Sequence, residues 1–168
     1  MDFLLDEIQI HEELLEETTA LVEEAEVCLS TEGRLIERFN CTPEALDELA
    51  VGHLFCRGLI TRADEITHIE VRQESSEEYT LEVTLNKKTT VRAVPEHPLS
   101  LPPLSRLRSL TRIFFNCAHK YKRHGGIHCS ALCDGTRFVA QFEDVGRHNA
   151  FDKVVGRALM EGLDPAGL

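Results

Sequence analysis

The chain has 168 residues, 42% of them apolar, enough for a packed core of one domain, or one with a small subdomain, and too many for a disordered chain. Asp and Glu number 29 against 18 Lys and Arg, and a net charge of −11 argues against general nucleic-acid binding. No run nears the roughly 18–20 apolar residues that span a bilayer, and the start Met1-Asp2-Phe3-Leu4-Leu5-Asp6-Glu7 lacks the basic end of a signal peptide, so the reading is a soluble cytoplasmic protein with no membrane partner.

The first 24 residues are acidic, with scattered apolar positions that fit a helix or a frayed strand, and no Lys or Arg precedes Arg34. Strands at 26–30 and 35–39 flank Thr31-Glu32-Gly33-Arg34 and read as a hairpin. A helix should follow, with Thr42 as its cap, Pro43 in its first position, and Leu46, Leu49, Ala50, His53 and Leu54 at helical spacing up to Gly58. His53, on that apolar face, reads as a satisfied core histidine. Strands are expected at 66–71, 79–85 and 89–94. Pro95, Pro98, Pro102 and Pro103 then mark a join, because proline suits neither helix interiors nor central strands. We therefore divide the chain into an N-terminal α+β subdomain (1–95) and a second α/β layer (96–168).

In the second part the spacing predicts a helix over 104–122 ended by Gly125-Gly126, a hairpin of strands 127–132 and 137–142, and a final helix from about Gly146 carrying Ala150, Val154, Val155, Ala158 and Leu159 on one side. Every charge from 101 to 133 is basic: Arg106, Arg108, Arg112, Lys120, Lys122 and Arg123. Such a strip fits either an anionic ligand or acidic partner patch, or a solvated face complementing the chain's own acidic N-terminus.

The richest motif is Glu143-Asp144-Val145-Gly146-Arg147-His148-Asn149-Ala150-Phe151-Asp152-Lys153, where a strand hands over to a helix. A helix start offers free N–H groups and partial positive charge to an anion. Gly146 permits close backbone approach, Arg147 can fork onto phosphate or carboxylate, and His148 can exchange protons near neutral pH. The plainer alternative is that Asp144 caps the helix and the remaining polar groups are solvated. The second motif runs from Arg123 to Cys133 and contains Gly125-Gly126-Ile127-His128-Cys129. Strand alternation puts His128 with Ser130, and Cys129 with Ala131 and Cys133, on opposite faces.

Six cysteines, with no secretory signal, read as reduced thiols. Cys28, Cys41 and Cys56 read as structural. A cluster of Cys117, His119, His124, His128, Cys129 and Cys133 matches no standard zinc spacing, so no intrinsic metal is expected, and a zinc-binding module is retained only as an alternative.

Together, Gly125-Gly126-Ile127-His128, the stretch Glu143 to Lys153 with Val154-Val155-Gly156, and the upstream Cys41-Thr42-Pro43-Glu44-Ala45-Leu46 resemble the FdhD/NarQ family of formate dehydrogenase accessory proteins. The resemblance implies a main domain similar to cytidine deaminase. It also implies sulfur transfer from a cysteine desulfurase, through a persulfide, to the molybdenum bis-pyranopterin guanine dinucleotide cofactor of formate dehydrogenase. Gly125, Gly126, His128, Asp144, Gly146, Arg147, His148 and Asn149 would then bind that cofactor. Asn149-Ala150 lacks the deaminase glutamate, so base deamination is not implied.

Three departures stand out. The family's Cys-x-x-Cys sulfur loop should follow the strand ending near Val94, but the chain continues Pro95-Glu96-His97-Pro98 without cysteine. The family's C-terminal part is expected to be missing. Arg57 and His53 stand where Glu and Phe are usual. Cys129, inside the motif, and Cys117, beside His119 and Lys120, become the persulfide candidates. The alternative is a non-catalytic relative that binds a guanine-nucleotide-like anion or a partner protein. A truncated layer would leave a sheet edge open, so a homodimer is expected.

Overall fold

The computed structural model describes residues 22–86 and 102–165. The acidic start of the chain and the strand expected at 89–94 lie outside the described residues.

Strands β1 (Ala25–Thr31) and β2 (Arg34–Cys41) form the expected hairpin. Glu32 and Gly33 at its tip both take positive φ, 50° and 74°, as a two-residue turn matching the strand twist requires. Strands β3 (Ile66–Gln73) and β4 (Glu78–Leu85) pair antiparallel, and β4 lies parallel beside β1, giving the order β2-β1-β4-β3. Alternate residues Val27, Leu29, Leu81 and Val83 are fully buried on one face.

Helix α1 (Leu46–Cys56) covers that face and buries Leu46 and every residue from Glu48 to Leu54. It is buried nearly all round because a second helix lies on its other side. The helix begins three residues later than Pro43 suggests, and Thr42 does not cap it. Ala45, in left-handed conformation, precedes the first turn. The groups of Thr42 are spent elsewhere: its N–H donates to Asp144 Oδ2 (3.2 Å), its carbonyl accepts from Lys153 Nζ (2.9 Å), and its hydroxyl accepts from the Val145 N–H (3.4 Å).

The expected helix 104–122 is two helices, α2 (Leu104–Cys117) and α3 (His119–His124), with buried Ala118 between them. The break has a physical cause. The Glu143 carboxylate accepts the N–H groups of Lys120 (3.0 Å) and Tyr121 (2.7 Å), which opens a new helix start there. Gly125, at φ 69°, ends α3.

Strands β5 (His128–Cys133) and β6 (Phe138–Asp144) form a second, two-stranded sheet. Helix α4 (Arg147–Met160) packs on both strands and on α1. Its Val155 and Leu159 enter the core built by the first four strands and α1, so that core draws on both sides of the proline-rich join. The helices α1 and α4 cross backbone to backbone. A Cβ on Gly52 would lie 1.8 Å from the Asp152 carbonyl oxygen, and one on Gly156 would lie 1.9 Å from that of Glu48. The mixed α/β class expected from the sequence is the one observed. Among the described residues no helix is long and apolar enough to cross a membrane.

Candidate functional site

The β6–α4 corner sorts its motif into an inner clasp and an outer surface. Asp144 is fully buried and Lys153 is 1% exposed, and they pair at 2.5 Å. The second Asp144 oxygen accepts the Gly146 N–H (2.8 Å) and the Asn149 side-chain amide (3.1 Å). Asn149 also donates to the Asn40 carbonyl (2.8 Å). Asp152 meets His53 Nδ1 at 2.9 Å, and the His53 ring packs edge-on against Phe39, so His53 is the satisfied core histidine its position implied. Through these contacts the motif fastens the end of β2 and the start of α1 to α4. Nothing in local spacing signals partners about a hundred positions away, which is why the sequence reading missed the clasp.

Arg147, His148 and Phe151 are left on the outside. Gly146, His148 and Asn149 line a cleft of about 370 Å³ with Arg38, Asn40, Arg57 and Asp152. A Cβ on Gly146 would come within 2.4 Å of the Asn149 amide nitrogen, so a larger residue here would push Asn149 off its bonds to Asp144 and Asn40. Arg57 binds Glu37 (2.7 Å) and donates to His53 Nε2 (3.4 Å). The Arg38 backbone N–H, and after it Arg57, holds the Glu37 carboxyl below its ordinary range. Arg38 and Arg57 stand beside the α4 start, each paired with a carboxylate, Glu26 (2.8 Å) and Glu37 (2.7 Å), while a helix start offers its first N–H groups to an anion. The two positions that departed from the expected pattern, His53 and Arg57, are neighbours on this one wall.

The other sequence candidates fall elsewhere. Gly125, Gly126 and His128 are exposed at the entry to β5. Cys129 faces the opposite side of β5 from His128, as alternation requires, and Gln141 donates to its sulfur (3.5 Å). Burial, and after it the charge of Glu143, pushes the Cys129 thiol up to about 11. Cys117 is exposed and lines a second cleft of about 360 Å³ with Glu44, His119, Lys120, Gln141 and Glu143. Among the described residues, no three His, Cys, Asp or Glu side chains gather to hold a metal ion.

Known proteins give this geometry a context. The sequence model of the FdhD/NarQ family matches residues 22–100 and 88–167. The chain belongs to the FdhD/NarQ family. Relatives named sulfur carrier protein FdhD, from Staphylococcus aureus strains including Newman, are 24% identical over 168 aligned residues, covering 85% of this chain and 63% of their own length. A crystal structure described as that of a formate dehydrogenase accessory protein from Desulfotalea psychrophila superposes with a TM-score of 0.65 and 27% identity, over 82% of this chain and 60% of that one. The chain thus spans under two thirds of these FdhD/NarQ relatives. The family match falls into two pieces that overlap at 88–100, the stretch where the sulfur loop was sought and no cysteine stands.

Proposed function

We propose that this chain is a formate dehydrogenase accessory protein. It handles sulfur for the molybdenum bis-pyranopterin guanine dinucleotide cofactor, which it holds as cargo, and it works with a cysteine desulfurase and with formate dehydrogenase. The observation that carries the reading is the family motif folded as an open cleft at the α4 start, flanked by Arg38, Arg57 and His148. Asp144 holds Gly146 and Asn149 in place beneath that cleft, and Gly146 and His148, which line it, face the cargo's phosphates, with exposed Arg147 next to them in sequence.

The deciding experiment expresses this chain in cells that lack their own accessory protein and measures formate dehydrogenase activity. Restored activity is expected, and no restoration would overturn the reading.

One observation favours a second reading. The sulfur loop is without cysteine, and Cys129 is held protonated at neutral pH. A relative that binds a guanine-nucleotide-like anion without passing sulfur fits those facts. Restoration that survives replacement of every cysteine would select it.

A further inference from the structure

The second cleft lies beside the β5–β6 sheet and is lined from the segment just before α1, the α2–α3 junction, β6 and Lys153 of α4. Its geometry is built by Glu143. One carboxylate accepts the Lys120 and Tyr121 N–H groups and so breaks the helix just after Cys117. Lys120 is drawn in by Glu44 (2.5 Å). His119, next to the break, lines the same cleft as Cys117. Cys129 pairs across the strands with Glu143, which puts a second thiol beneath the same junction. The result is an exposed thiol in a cleft of about 360 Å³ that it shares with the His119 imidazole, the Lys120–Glu44 pair and the Glu143 carboxylate.

The remaining thiols are placed for other roles. Cys41 is fully buried and pushed up to about 12, mainly by burial. Cys28 sits mid-sheet and accepts from Arg38 (3.3 Å). Cys129 and Cys133 are half-buried. Cys56 is exposed but lines none of the clefts described above.

We propose that Cys117 is the sulfur-accepting thiol of this chain, receiving the outer sulfur of a protein persulfide in the cleft it shares with His119 and Lys120. This assignment rests on the sulfur-handling reading and names its residue. The Cys117 sulfur, having given up its proton to solvent, attacks the outer sulfur of the donor R–S–SH. A new S–S bond forms on Cys117, the donor's S–S bond breaks, and R–S⁻ leaves with the electron pair and takes up the proton. The sum is Cys117–SH plus R–S–SH giving Cys117–S–SH plus R–SH, with no net oxidant.

The test incubates the full chain with a cysteine desulfurase and cysteine, alkylates it, and maps the additional sulfur by peptide mass spectrometry. The label is expected on Cys117. It should fall about tenfold or more in Cys117→Ser, where the nucleophile is gone, and persist in Cys56→Ser and Cys133→Ser. A label that resides on another cysteine and survives Cys117→Ser overturns this assignment and leaves sulfur handling standing. No label on any cysteine overturns both.

Discussion

Asp144 and Lys153 show what single residues do here. An ion pair with both members out of water persists only if its groups find partners, and this one does: Asp144 has four donors, and two acceptors meet the three N–H groups of Lys153. Removing one partner strands a buried charge. Lys153→Met should destabilise the fold by about 3–5 kcal/mol in urea titration, and a loss under 1 kcal/mol would show the clasp is not structural. Cys129 gives a pH prediction. With its thiol at about 11, only about one in a thousand is ionised at pH 8, so alkylation should mark Cys117 and Cys56 first. Cys129 labelling should keep rising toward pH 11. The unfolded thiol ionises at its lower, ordinary value, so the unfolded state holds fewer protons between there and about 11. Stability contributed by this group is therefore lost as pH rises through that window.

Among the elements, the contact between α1 and α4 decides the most. Gly52 and Gly156 let the two backbones touch, and a methyl at either would overlap a carbonyl oxygen of the facing helix. Gly156→Ala should cost about 1–3 kcal/mol or more, as overpacking does, and should loosen the cleft at the α4 start; a thermal melt unchanged from the parent would refute the close crossing. The α2–α3 break depends on Glu143. In Glu143→Ala, amide exchange across residues 119–124 should speed up, with about 0.5–2 kcal/mol lost as for a helix cap. Periodicity alone runs straight through this break, because Leu104 to Lys122 carries no proline or glycine. The carboxylate that ends one helix and starts the next arrives from a strand more than twenty residues later.

At the scale of the molecule, the layers run from the four-stranded sheet to α1, α4, the β5–β6 sheet, and α2 with α3. The outermost layer is thin. In α2 only Leu110 is buried, while Leu104, Leu107, Ile113 and Phe115 are exposed. The β5–β6 sheet has two strands among the described residues. The homodimer expected from the sequence is carried forward as a proposal: light scattering should give twice the chain mass, and Leu107→Asp with Phe115→Asp should halve it. A parent chain that scatters as a monomer would sink the idea.

By itself the sequence determined the hairpin at Glu32-Gly33, strands β3 and β4, the end of α3 at Gly125, helix α4 and the family motif. Turn chemistry, alternation and helical spacing act between near neighbours, so they can be read without knowing what packs on what. Only the tertiary structure decided that Thr42 serves Asp144 and Lys153 rather than capping α1, that Glu143 splits α2 from α3, and that Arg38, Arg57 and His148 share one cleft. These depend on groups brought together across a long stretch of chain, 102 positions for Thr42 and Asp144. A buried charge is satisfied by whichever donors the packing delivers, and spacing along the chain does not specify them.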